Sequence, residues 1–220
     1  MSVNVEAYQS IIKELKQTNT ILVAVSKTKP VADIQALYNS GQRDFGENYV
    51  QELVEKEAQL PKDIRWHFIG HLQSNKVKYI ASFVHLIHGV DSISLLKEIN
   101  KQAVKNNRII NCLLQVHIAE EETKFGFGLH ELENQLHELD GLKNVNVCGL
   151  MGMASFSDDT NKVRGEFKKL KSMFSKLEIR NTKLEILSMG MSGDYIIAVE
   201  EGSNMVRIGS LLFGAREYNK

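Results

Sequence analysis

A chain of 220 residues with 43% hydrophobic and 25% charged side chains has the balance of an ordinary globular protein rather than a disordered one. Its 27 Lys and Arg cancel 27 Asp and Glu, so no net field draws it to nucleic acid or to an anionic membrane surface. Residues 1–220 are expected to fold as one domain, long enough to bury roughly 70 to 75% of the unfolded surface.

The first segment, MSVNVEAYQSIIKELKQ, lacks the basic and apolar regions of a leader, and no apolar run approaches the roughly 18 residues of a membrane span. An amphipathic helix is expected from Val5 to Gln17, then a strand at 21–27, ILVAVSK. Pro30 opens the next helix and Gly41 closes it, the usual asymmetry of helix ends. A short strand DFGEN at 44–48, the charged helix YVQELVEKEAQL and the strand IRWHFIG at 64–70 follow. Helix SNKVKYIASF leads to a fourth strand at 86–91, and helix SISLLKEINKQAVKNN to a fifth at 108–119, whose β-branched content favours extended structure. After the loop EEETKFGFG at 120–128 come the helix LHELENQLHELD, a sixth strand at 145–153 and a long helix at 159–180. A seventh strand at 184–191, the helix DYIIAVEEG and an eighth run at 204–214 complete the order.

Strand-length apolar runs alternating with helices mean a parallel α/β protein, either a closed (β/α)8 barrel or an open doubly wound sheet. Eight such units without a linker or repeat favour a single TIM-type barrel with an extra N-terminal helix. Cys112 and Cys148, the only cysteines, both lie in apolar runs and make no disulfide framework. A cytoplasmic protein with no membrane and no nucleic-acid partner is expected.

Active sites of such barrels lie at the C-terminal strand ends. Lys27 ends the first strand, where apolar walls would desolvate its ammonium, lower its pKa from about 10.4 and make it a nucleophile toward an aldehyde. A solvated strand-end lysine is the simpler alternative, and Lys29 competes from farther into the loop. The turns SMGMSGD and VRIGS follow the seventh and eighth strands, where many barrels bind phosphate. Ser192, Gly193, Gly209 and Ser210 are therefore either phosphate ligands or residues of plain tight turns. Arg207 shares a strand face with Gly209, and its guanidinium either meets a ring nitrogen or phosphate or pairs inward with a residue such as Glu47. Asn48 and His67 end the second and third strands, as ring-orienting groups or as structural hydrogen-bonders. His85 and His88 span a strand start and should face opposite sides, so no metal site is expected. The glycines of KFGFG and GLMGM lack the strand-to-helix context of a dinucleotide fingerprint.

Taken in order, VSKTKP, FGENYVQE, WHFIGHLQSNK, GLMGM, SMGMSGD and VRIGSLLFGAR, between residues 20 and 218, resemble the pyridoxal-phosphate homeostasis protein family, also described as proline-synthetase co-transcribed homologues. That family is similar to the N-terminal barrel of alanine racemases and ornithine-type decarboxylases. The resemblance implies pyridoxal 5'-phosphate as cofactor, held as a Schiff base on Lys27. It puts Ser192, Gly209 and Ser210 on the phosphate, Arg207 near the pyridine nitrogen, Asn48 beside the ring and Met151 close to it. His67, from its strand-end position, is expected as a further cofactor contact. Gly193 departs from the family, where a polar residue is common, and leaves no side-chain role there. An arginine at the pyridine nitrogen would weaken the ring as an electron sink, and the sequence stops at Lys220 without the second domain from which racemases draw a tyrosine. The implied function is a monomeric carrier or buffer without catalytic turnover, with apo pyridoxal-phosphate enzymes as recipients. The alternatives are a small amino-acid racemase or lyase, and a phosphosugar-binding barrel.

Overall fold

The computed structural model describes residues 3–119, 126–179 and 182–214. Eight parallel strands close into a barrel: β1 (Ile21–Val25), β2 (Asp44–Glu47), β3 (Arg65–Phe68), β4 (Leu86–Val90), β5 (Ile110–Gln115), β6 (Val145–Met151), β9 (Ile186–Met191) and β10 (Met205–Ile208), with β10 pairing back onto β1. Two further strands, β7 (Glu178–Ile179) and β8 (Thr182–Lys183), form a small antiparallel pair outside the barrel.

The helices between strands are α2 (Val31–Asn39), α3 (Val50–Gln59), α4 (Val77–Ile80), α5 (Ile93–Lys105), α6 (Leu129–Gln135), α7 (Thr160–Lys176) and α8 (Tyr195–Glu200). They follow α1 (Val5–Leu15) and precede α9 (Ser210–Phe213). In α5 the buried residues Ile93, Leu96, Ile99 and Ala103 recur at three- and four-residue spacing and turn one face to the sheet. The hydroxyl of Ser92 starts that helix by accepting from the Leu95 N–H at 3.3 Å. Gly41, at φ +106°, takes the chain out of α2 through a conformation that β-carbon-bearing residues avoid. The backbone N–H of Asn4 donates to Leu212 O at 2.8 Å, which ties α1 to α9. Among the described residues, no helix is long and apolar enough to cross a membrane.

Several expected boundaries move. β1 stops at Val25, so Lys27 lies in the turn beyond it rather than on the strand. The run 204–214 is not one strand: β10 ends at Ile208 and Ser210 opens α9. Residues 74–83 give a 3-10 turn followed by the four-residue α4. The helix expected to reach 180 ends at Lys176, ahead of β7; residue 180 and positions 120–125 of the expected loop lie outside the described residues.

The barrel interior is filled by side chains. One apolar layer joins Val23, Leu86, Leu113, Met151 and Met205. A polar set, His67, His88, Ser188 and Arg207, is equally enclosed. β6 and β9 approach so closely at Gly149 that a β-carbon there would stand 1.9 Å from Ile186 O.

Candidate functional site

At the C-terminal strand ends a cavity of about 530 Å3 opens, within the range of small-molecule sites. Lys27, Lys29, Asn48, Ser192, Arg207, Gly209 and Ser210 all contribute to its wall, together with the apolar Val25, Ile69, Met153 and Met191. The segment after the first strand thus delivers two lysines, that after the second an amide, and the last two strands with their turns the hydroxyls, glycines and guanidinium.

The Lys27 turn is held from behind. Ser26 N–H continues the ladder to Gly46 O at 3.0 Å, and Lys29 N–H closes the turn on Ser26 O at 3.0 Å. Thr28 sits at φ +62° and donates its N–H to Glu52 Oε1 at 2.6 Å. Beneath them the buried Lys56 ammonium donates to Ser26 O (2.7 Å), Glu47 Oε1 (2.7 Å) and Glu52 Oε1 (2.6 Å), while Ser26 Oγ donates to Glu47 Oε1 at 2.6 Å. Burial pushes the Glu47 carboxyl up to about 7, against the pull of Lys56 and Ser26.

On the opposite wall, Gly209 N–H donates to Ser192 Oγ at 3.2 Å, which links the two small-residue turns. A β-carbon on Gly209 would lie 3.2 Å from Val25 O and 3.3 Å from Val25 Cβ, a tight contact that the first strand could admit only by giving a few tenths of an ångström. A β-carbon on Gly193 would meet nothing within 4 Å, so the backbone there is open. Arg207 donates from Nη1 to Ser188 O (2.9 Å) and Ser188 Oγ (2.7 Å), and from Nη2 to Gly152 O (3.2 Å). Burial lowers its guanidinium to about 10, with Asp194 pulling the other way. The inward pairing with Glu47 does not occur, because Glu47 is taken by Lys56 and Ser26. Among the described residues, Asn48 Oδ1 is one of two buried side-chain polar atoms without a hydrogen-bond partner.

Two expected contacts are not brought to the cavity. Met151 belongs to the apolar interior layer, and Met153, two residues on and past the end of β6, takes the wall position instead. His67 is 1% exposed and lies deeper: its Nδ1 is 2.9 Å from His88 Nε2 and its Nε2 is 3.0 Å from Asp44 Oδ1. The histidine that joins His85 is His67, and with Asp44 they bring ligand atoms within 4.8 Å of one another; Asp44 there is hydrogen-bonded by both Arg65 and His67.

A closed eight-stranded barrel with a lysine beyond its first strand and small-residue turns after its last two defines a class. The family described as alanine racemase, N-terminal domain, matches residues 3–217, and the chain belongs to it. Solved alanine racemases share the fold at low identity: that of Bartonella henselae, with covalently bound pyridoxal phosphate, is 18% identical with a TM-score of 0.71, covering 97% of this chain and 60% of its own. Within the family the chain falls among the pyridoxal phosphate homeostasis proteins. That of Aquifex aeolicus is 44% identical, over 90% of this chain and 87% of its own length. The one from Synechocystis is 39% identical, over 95% and 97%. The structure of PipY from Synechococcus elongatus PCC7942 with PLP bound superposes with a TM-score of 0.87 at 34% identity, covering 95% of this chain and 99% of that one.

Proposed function

We propose that this protein binds pyridoxal 5'-phosphate as a Schiff base on Lys27 and serves vitamin B6 homeostasis in the cytoplasm as a monomeric carrier or buffer. One barrel forms the whole binding unit, and no amino acid is turned over. The observation that carries this reading is the convergence of Lys27, Asn48, Ser192, Arg207, Gly209 and Ser210 on one cavity.

The residues fit the cofactor. The buried and unpartnered Asn48 Oδ1 suits a donor on the ring. The cradle at Gly209, which a β-carbon would crowd, lets backbone N–H groups approach phosphate oxygens, and the Ser192 and Ser210 hydroxyls stand beside it. Arg207 is a cation with donors only, so it hydrogen-bonds a ring nitrogen without giving up a proton to it. When bound, the cofactor supplies an aldehyde that condenses reversibly with the Lys27 amine, one water leaving, so that another amine or water releases it. That reversibility suits delivery to apo pyridoxal-phosphate enzymes, while an arginine facing the ring nitrogen disfavours carbanion chemistry.

Borohydride reduction of the loaded protein should fix one cofactor mass, and peptide mapping should find it on Lys27. Lys27→Ala should lose the visible absorbance with its far-UV circular dichroism intact; an adduct on Lys29 would reassign the attachment. Incubated in deuterated water with alanine, serine, ornithine or lysine, the loaded protein should exchange no α-proton beyond the rate of free cofactor. Stereospecific exchange that vanishes in Lys27→Ala would make it a racemase or lyase.

A further inference from the structure

The polar set inside the barrel forms a continuous line. It starts at Arg207 on β10, passes to Ser188 Oγ on β9 (2.7 Å), to His88 Nδ1 on β4 (3.1 Å), from His88 Nε2 to His67 Nδ1 on β3 (2.9 Å), and from His67 Nε2 to Asp44 Oδ1 on β2 (3.0 Å). Asp44 opens β2 at the opposite, N-terminal face of the barrel, where Arg65 grips its carboxylate through Nε at 2.7 Å and through Nη2. Ser188, His88, His67 and Arg207 are all at most 4% exposed. Five strands thus give one polar group each to the barrel interior, and burying such groups costs free energy unless every one is satisfied.

The two ends of the line fix its direction. A guanidinium only donates and an ionised carboxylate only accepts. With both rings neutral, His67 must give Asp44 its Nε2 proton, which makes its Nδ1 an acceptor. His88 must then donate from Nε2 and accept at Nδ1, so the Ser188 hydroxyl must donate to His88. Its oxygen is left to accept from Arg207. No other neutral assignment supplies one hydrogen to every link.

We propose that Ser188 and His88 are positioning residues for Arg207, and that this one-way chain anchors the guanidinium from within the barrel to the Asp44–Arg65 pair on the far face. Three of the five guanidinium N–H groups are committed to Ser188 O, Ser188 Oγ and Gly152 O, which sets the plane of the fork and leaves two for the cavity that Arg207 lines. The role rests on the reading of Arg207 as a cofactor contact; the chain itself does not.

Long-range 1H–15N correlation spectra of the full chain at pH 8 test the chain with and without added pyridoxal phosphate. His67 and His88 should both appear as neutral Nε2–H tautomers. An Nδ1–H tautomer at either ring, or an imidazolium at His67, would overturn the chain. The positioning role is read in the pH titration of the bound chromophore. Ser188→Ala and His88→Leu should each move its midpoint by about 0.5 pH unit or more, the double variant should move it no further than either alone, and Ser188→Thr should restore it. The Ser188→Ala preference for pyridoxal phosphate over pyridoxal should stay within about twofold of the parent's, since the phosphate wall is untouched. A parent chain that binds no pyridoxal phosphate defeats the cofactor reading. A parent that binds it, with a midpoint unmoved by either substitution, defeats the positioning role alone.

Discussion

Glu47 ends β2 with a carboxylate that faces Lys56, Ser26 and, one step farther, Glu52, with its Oε2 buried and unpartnered. Its value, about 7 in the folded protein against 4.5 for the ordinary side chain, means that the native state holds the proton more tightly than the unfolded chain does. This contribution to stability is whole below about 4.5 and fades as pH rises toward about 7. The urea midpoint of the parent should therefore fall between pH 5 and 7.5 by more than that of Glu47→Gln, which cannot ionise; equal slopes would remove Glu47 from the account. Asp44 has the opposite sense. Burial opposes its ionisation, yet the hydrogen bonds from His67 and Arg65 outweigh it and hold the carboxyl at about 2, below the ordinary 3.8. Its contribution is present above about 3.8 and is lost as pH falls through about 2. Neither role was legible in the sequence. DFGEN reads as a short strand with acidic ends, and only the partners brought from α3 and β3 separate a carboxyl driven up from one driven down.

Strand position was legible to within a few residues because apolar runs of strand length alternate with amphipathic helices, and all eight barrel strands lie within the expected runs. Depth along the barrel axis was not. Barrel strands tilt, so the last residue of one strand stands level with the first of another. Met151, last in β6, accordingly shares a layer with Leu86 and Met205, which open β4 and β10. The two-residue step from Met151 to Met153 was the available signal for which methionine reaches the mouth. His67, third in β3, is likewise enclosed in the barrel and is not among the residues that line the cavity. The β7–β8 pair, two residues a side, carries no periodicity to detect. At this scale the β6–β9 seam at Gly149 makes the sharpest prediction. Gly149→Ala would drive a β-carbon to 1.9 Å from Ile186 O, and separating β6 from β9 to admit it should cost about 3 kcal/mol or more. Chemical denaturation measures this directly, and a loss under about 1 kcal/mol would show that the seam yields.

The cavity at the mouth is not built on one element. Its lysines come from the β1 side and its small-residue turns from β9 and β10, and β10 pairs with β1 to close the barrel. A ligand held there bridges the closure and stabilises the folded state by mass action, by about 2.7 kcal/mol at a hundred times its Kd. For a chain of this size, pyridoxal phosphate at that level should raise Tm by roughly 5 to 10 °C, and most of the gain should disappear in Lys27→Ala. Gly209→Ala should reduce it as well, since Val25 must shift to admit the new carbon. The order of the elements carries a further consequence for synthesis on the ribosome. Lys27 is among the first residues to emerge, whereas Arg207, Gly209 and Ser210 follow only after α8. A nascent chain arrested at residue 200 presents the lysine without the strand that completes its pocket, and it should let a borohydride-trappable aldehyde escape. The same chain released after β10 has docked should retain it, so that cofactor capture marks the completion of the barrel.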